Sequence, residues 1–269
     1  MQNTPPTDRY FVHSLGRGLR YLERLAESET PLSLSQIAEA LGHNRATAFR
    51  FLHTLEKLEF VERDPVVKSY RVSPKVLKLG YSVFRGQGLW QTAHPYLERA
   101  SRKTGETFNL AILDGDQILY IDRVKTGNIL NINLEIGSKL PAYCTSMGRV
   151  LLAALPEETA RQILRHSKRK RVTERTVTGL KELMDILRRV RLQGYAVNNG
   201  ELAPELVSAA APVQNREGRV VAALNVAVRA TDYPDSPSIQ TLFETVVSVA
   251  GQISQAMGHY NPEGGDAGD

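Results

Sequence analysis

Residues 31 to 72 carry, in one uninterrupted stretch, the start and stop signals of two short helices and then of a hairpin, and few folds satisfy that order. Ser33-x-x-Gln36 is a capping-box pattern, in which the Ser33 hydroxyl accepts from the Gln36 amide while the Gln36 side chain reaches back to the helix start. Leu34, Ile37, Ala38 and Leu41 then recur at helical spacing, and Gly42 supplies a left-handed stop. A second helix is expected from Arg45 to Leu58 with Asn44 as its cap.

That second helix has two unlike faces. Ala48, Phe51, Leu52, Leu55 and Leu58 would pack inward, which leaves Arg45, Thr47, Arg50, Thr54 and Lys57 nearer solvent. A basic face alone is often no more than a solvated surface. Here it is followed by Phe60-Val61-Glu62-Arg63, the turn signal Asp64-Pro65, and Lys68-Ser69-Tyr70-Arg71-Val72, which read as a hairpin placing Lys68 and Arg71 beside the helix. An earlier helix, capped at Ser14 with Leu15, Leu19, Leu22 and Leu25 on one face, would complete a three-helix core. The composite is a winged helix-turn-helix, and a helix with its side chains fits a major groove about 12 Å wide. The candidate DNA-contacting residues are Arg45, Thr47, Arg50, Thr54, Lys68 and Arg71. Arg45 and Arg50 would read base edges, while Thr47, Lys68 and Arg71 would position the protein on phosphates.

The rest of the chain leaves room for a second domain, since 269 residues is long for one. Of the formal net charge of +5, most belongs to residues 1 to 88, with 13 Lys and Arg against 9 Asp and Glu, whereas residues 89 to 269 hold 21 against 20. Positive charge therefore gathers where phosphates would be met. Cys144 is the only cysteine, which excludes a disulfide or a thiolate metal cluster within one chain and fits a reducing cytoplasm. Residues 1 to 8 lack the apolar core of a signal peptide, and no apolar run approaches the ~18 residues of a membrane span. A cytoplasmic protein without membrane contact is expected.

After a flexible N-terminus (1–11) and the DNA-binding domain (12–73), a linker helix is expected over 74–88. Residues 89–260 then alternate between strand-like and helical patterns. An amphipathic helix over 89–103 precedes two strands, 107–113 and 117–124, joined by Asp114-Gly115-Asp116, a tight hairpin signal. Further strands are expected at 128–136, 195–198, 207–213 and 219–228, the last two joined by Asn215-Arg216-Glu217-Gly218. Helices are expected at 146–154, 156–166, 180–192 and 237–259, and a Gly- and Asp-rich tail (261–269) reads as disordered. Hairpin-joined strands with helices at the ends and over one face describe an α+β antiparallel-sheet domain that can hold a small molecule.

Ser146 opens a helix directly after a loop, so the free amides of Ser146 and Met147 and the helix dipole could hold a carboxylate. Catalysis has little to stand on. Cys144-Thr145-Ser146-Met147-Gly148 approaches a nucleophile elbow, yet that motif needs Gly where Cys144 stands. The six histidines are scattered, no phosphate-binding Gly-rich loop occurs, and neither cofactor nor metal is implied. Lys168-Arg169-Lys170-Arg171 is the densest charge run, readable as a flanking DNA contact or as a solvated loop. Cys144 is readable as a redox sensor or as a quietly packed thiol.

With both halves in view, the chain resembles the IclR family of bacterial transcription factors over residues 12 to 259. The resemblance is carried by Arg45-Ala46-Thr47-Ala48-Phe49-Arg50-Phe51-Leu52, the wing, Gly137 with Leu140-Pro141, Ser146 to Ala153, Gly194-Tyr195 and Ala210-Ala211-Pro212-Val213. The segment from Pro141 to Arg149 is similar to members that control protocatechuate, 4-hydroxybenzoate and β-ketoadipate catabolism. The resemblance implies a GAF-like effector domain with a small organic acid bound at Ser146 and Met147 and lined by Asn198, Ser208 and Asn225. It also implies double-stranded operator DNA as partner and homodimers formed largely through the DNA-binding halves, often joined into homotetramers; RNA polymerase stays open as a further partner. A constitutive DNA-binding repressor without an effector, and an enzyme fused to a winged helix, remain the alternatives to a ligand-responsive regulator.

Overall fold

The computed structural model describes residues 10–76, 79, 88–125, 134–229 and 237–259. The chain divides into two compact units, Met1–Gln87 and Gly88–Asp269. Most of the expected linker helix, all but the end of the strand expected at 128–136, most of the N-terminus and the tail lie outside the described residues.

In the first unit, α1 (His13–Ala26), α2 (Leu34–Ala40) and α3 (Arg45–Lys57) stand with a three-stranded antiparallel sheet of order β1-β3-β2, formed by Leu32–Ser33, Ser69–Val72 and Val61–Arg63 respectively. The capping box is present: Gln36 N donates to Ser33 Oγ, and Ser33 N donates to Gln36 Oε1 at 2.8 Å. Asn44 caps α3 by accepting from Thr47 N at 2.8 Å. Each such cap contributes about 1 kcal/mol. Tyr21, Ile37, Ala48, Leu52, Val61 and Tyr70 form the core.

Three expectations for this unit are corrected. Ser14 lies inside α1, whose N-cap is Val12 with no side-chain cap bond. Leu15 and Leu19 are exposed and Tyr21 takes the core position, because α2, α3 and β3 cover only the side of α1 that bears Tyr21 and Leu25. Leu58 is also exposed, since α3 ends one residue earlier and the chain turns through Glu59 at φ +60°.

The second unit is a six-stranded antiparallel sheet of order β6-β5-β4-β9-β8-β7. Its strands are β4 (Phe108–Asp114), β5 (Gln117–Val124), β6 (Lys139–Pro141), β7 (Ala196–Asn199), β8 (Leu206–Gln214) and β9 (Val220–Arg229). The expected hairpin turns close as read, with Gly115 at φ +62° and Gly218 at φ +73°. Strand alternation splits the buried residues between two faces. Ala111, Tyr120, Ala196, Ala210 and Ala223 pack under α5 (Ser146–Ala153), α6 (Glu157–His166) and α7 (Leu180–Gln193). Against the opposite face stand α4 (Leu89–Thr104) and α8 (Pro237–Ala256), which also touch each other. Helices thus cover both faces rather than one. Apolar residues such as Leu110, Leu224 and Val226 alternate with the first set along the strands, so each face buries its own row.

Candidate functional site

On α3 the buried stripe is Ala48, Leu52 and Leu55, and the opposite side exposes Arg45, Phe49, Arg50, His53, Thr54 and Lys57. Thr47 is partly buried at the helix start. The Thr54 hydroxyl donates to Arg50 O at 2.8 Å, which leaves it as an acceptor toward solvent. Phe49 stacks on His53 with ring centroids 5.8 Å apart, a pair the core periodicity did not single out. An exposed ring there offers an apolar contact suited to a thymine methyl.

The wing is tied by its own turn. Asp64 accepts from Val66 N at 2.8 Å and Val67 N at 2.9 Å, and these backbone donors hold its carboxyl below the usual range. Lys68 follows at φ +54°, a conformation that disfavours a side chain, so a glycine would be easier there. Its ammonium stands at the exposed tip of the hairpin. Arg71 is committed differently, with Nη2 2.7 Å and Nε 2.9 Å from Glu62 Oε2 across the strand pair.

In the second unit, α5 begins at Ser146 with Thr145 as its cap. Thr145 Oγ1 accepts from Gly148 N at 3.1 Å, and the first ladder bond runs from Arg149 N to Thr145 O. The amides of Ser146 and Met147 therefore have no acceptor within the helix. Both residues are 1% exposed. The Ser146 hydroxyl lies 2.8 Å from that of Ser208 on β8, and Asn198 Nδ2 on β7 donates to Cys144 O at 2.9 Å. Asn198 and Ser208 face each other in register. Asn225 on β9 sits opposite Ala210, one step along the same face, and its Oδ1 accepts from Asn109 Nδ2 at 2.8 Å.

The five effector residues expected from the resemblance thus share one buried region under the start of α5. Ser146, Ser208 and Asn198 are joined around that start, whereas Asn225 pairs with Asn109, one strand further. Met147 offers only its amide, because its side chain is core.

Beside this region lies a buried ion pair that sequence reading assigned no role. Arg149 Nη1 stands 2.6 Å from Glu201 Oε1 and Nη2 donates to Glu201 Oε2 at 2.7 Å, a two-pronged contact. Arg149 Nε donates to Tyr143 O, and Val177 N to Glu201 Oε2, so the pair fastens three loops around α5. Cys144 is fully buried, and burial pushes its thiol up to about 11. Of the charge run, Arg169 turns inward to Thr178 O and Lys170 O accepts from the Tyr143 hydroxyl at 2.6 Å, which fits a structural loop. No helix of the described residues is long and apolar enough to cross a membrane, and no group of metal-ligating side chains occurs among them.

Comparison with known proteins bears on both units. The family profile described as IclR helix-turn-helix domain matches residues 14–65, and that described as Bacterial transcriptional regulator IclR C-terminal matches 81–255. The Pca regulon regulatory protein of Pseudomonas putida is 40% identical over 220 residues, covering 81% of this chain and 75% of that one. A solved transcriptional regulator from Rhodococcus sp. RHA1 is 38% identical with a TM-score of 0.78, covering 92% of this chain and 98% of its own. An IclR homolog from Microbacterium hydrocarbonoxydans, solved as a complex with 4-hydroxybenzoate, shares the fold at 24% identity and a TM-score of 0.78, over 90% of this chain and 98% of that one.

Proposed function

The chain belongs to the IclR family of bacterial transcriptional regulators, and we propose that it switches an operator controlling aromatic-acid catabolism in response to a small carboxylic acid. It is a regulator and not an enzyme, with a helix-turn-helix unit for DNA and an effector-type unit. The observation that carries the effector reading is the convergence of Ser146, Asn198 and Ser208, all buried and polar, at the start of α5. An apolar core has no use for such a cluster, and burying it is costly unless each group is bonded. A helix start with two spare amides favours an anion by up to about 2 kcal/mol when partly buried. The similarity of residues 141–149 to regulators of protocatechuate, 4-hydroxybenzoate and β-ketoadipate catabolism, and the likeness to the Pca regulon regulatory protein, point to aromatic or dicarboxylic acids.

On the DNA side, Arg45 and Arg50 read base edges of a pseudo-palindromic operator, and Thr47, Thr54, Lys68 and Arg71 hold the duplex backbone. Lys68 supports this reading, because a side chain kept at positive φ at an exposed tip is a local cost with no packing return. In this reading the protein acts in the cytoplasm as a homodimer, which can pair into a homotetramer, with RNA polymerase open as a further partner. The exposed row Tyr10, Phe11, Val12, Leu15 and Leu19, leading into and along α1, supplies the dimer contact.

Titrating the intact protein with protocatechuate, 4-hydroxybenzoate and β-ketoadipate by calorimetry, with operator gel shifts in parallel, tests this. Dissociation constants on the order of micromolar are expected, about −8 kcal/mol, together with a change in operator affinity. Operator binding with no response to any acid would instead support a constitutive repressor.

A further inference from the structure

The polar region under α5 extends further along the sheet than the resemblance assigned, and its far end carries unmatched chemistry. On β5, Leu110 of β4 faces Asp122 and Ala111 faces Tyr120, so Ile121 is one residue more than the ladder needs. This bulge reverses the alternation that follows it. Asp122 turns to the opposite face, where its Oδ2 lies 2.8 Å from His94 Nδ1 on α4. Arg123 comes to lie opposite Asn109, which in turn faces Asn225. The row Arg123, Asn109, Asn225 therefore continues the face that holds Ser208 and Asn198.

Two atoms in that row are buried without a hydrogen-bond partner, Nε of Arg123 and Oδ1 of Asn109. Asn109 is 4% exposed, and its amide nitrogen is already engaged by Asn225. Neither described carboxylate near Arg123 bonds its guanidinium: Asp122 pairs with His94, and Glu135, though it feels the Arg123 charge, pairs with Lys125 at 2.6 Å. Buried polar atoms in folded proteins are almost always bonded, so a donor and an acceptor left open on two cross-strand neighbours point to a ligand that supplies their partners. A guanidinium edge offers only donors and suits a carboxylate. An amide oxygen offers only an acceptor and needs a donor, which on a carboxylic acid without nitrogen is a hydroxyl.

We propose that this row selects a carboxylic acid that also bears a hydroxyl, with Arg123 as counter-ion of the carboxylate and Asn109 as acceptor for the hydroxyl. The proposal rests on the effector reading above and narrows its ligand class. A plain dicarboxylate, having no donor at neutral pH, would leave Asn109 unmatched.

The test is calorimetry on the intact protein with benzoate, its three monohydroxy isomers and their methyl esters. The parent protein is expected to bind at least one hydroxybenzoate about tenfold more tightly than its ester, as a bond to a charged group warrants, and several-fold more tightly than benzoate. In Arg123→Gln the difference between acid and ester should shrink to about twofold or less, while Arg123→Lys retains part of it. In Asn109→Ala the preference over benzoate should vanish. Should Asn109→Ala fail to fold, the Arg123 variants and the ligand series on the parent still decide. An ester penalty unchanged in Arg123→Gln, as when the two open atoms merely close on each other, overturns this inference and leaves the effector reading standing. Binding of none of these acids, or of any acid of the wider panel above, overturns both.

Discussion

The backbone of Ala142 lies against the α-carbon of Gly148 so closely that any Cβ added at Gly148 would overlap the Ala142 carbonyl. Gly148 is in the first turn of α5, and Ala142 opens the short 3-10 helix Ala142–Cys144 that precedes it. The requirement is for space rather than for backbone freedom. It fixes the start of α5, and with it Ser146, relative to the sheet.

Gly148→Ala should therefore destabilise the second unit by about 3 kcal/mol or more, above the usual overpacking cost, because the obstructing atoms are backbone and cannot rotate away. Urea unfolding followed through Trp90, the one tryptophan, measures it. A loss under about 1 kcal/mol would show that the 3-10 helix yields easily.

On DNA, Arg45→Ala and Arg50→Ala should each cost roughly 1–3 kcal/mol on the operator and relax base preference. Lys68→Ala should weaken all sequences alike and lower the salt slope by about 0.9. Arg71→Ala should do less, since its guanidinium already spans to Glu62. Gel shifts across a salt series separate these cases, and parent-like binding by both Arg45→Ala and Arg50→Ala would remove α3 from the readout.

The Tyr21 hydroxyl lies 2.7 Å from His43 Nδ1, and the two rings stack on each other and on Phe51. Burial first, then Arg17 and Arg20, push the His43 pKa below its ordinary value. The unfolded chain then binds the proton more readily than the folded one. Stability of the first unit should be full above the ordinary pKa of 6.5 and fall as pH drops through it toward the lowered folded value. Hydrogen exchange of peptides from residues 13–57, corrected for intrinsic rates, should show protection lost between neutral pH and the mildly acidic range. His43→Gln should flatten that slope, and an unflattened slope would assign it to another group.

These elements differ in how openly the sequence announced them. The Ser33 capping box, the Asn44 cap and the Asp114 to Asp116 turn were legible because each is decided within four residues. The pattern at α1 misled, since Leu15 and Leu19 look like a buried stripe while no neighbour among the described residues of the unit covers them. The strand Lys139–Pro141 escaped because three residues ending in Pro carry no alternation. Arg123 was hidden for a deeper reason: which face it takes depends on a bulge defined only against its partner strand. Asn198, Ser208 and Asn225 follow from family resemblance, and only the register shows that they share a face with Asn109.

Cys144 should behave as a core residue. Its thiol is fully buried and burial raises it to about 11, so almost none is thiolate at neutral pH. A thiol-exchange reagent at pH 8 should leave the native protein unmodified and titrate one thiol per chain in denaturant. Rapid native labelling would reopen the redox reading.

Assembly is the last expectation, and it rests on where α1 turns its apolar side chains. Leu15 is 63% exposed and Leu19 51%, four residues apart on one side of the helix and preceded by exposed Tyr10 and Val12. A row of large apolar groups left open along a helix marks a protein contact more often than a solvated surface. A second copy of the same helix is the simplest cover, because a two-fold contact also presents two recognition helices to successive half-sites, about 34 Å apart. Leu15→Glu combined with Leu19→Glu should leave the fold intact, since neither side chain is in the core of the first unit. Sedimentation at micromolar concentration should then shift toward monomer, or toward a dimer where the parent is a tetramer. Operator affinity should fall far more than affinity for a single half-site, because only the operator depends on two linked units. If the variant kept the parent's assembly and operator affinity, α1 would not be the dimer contact.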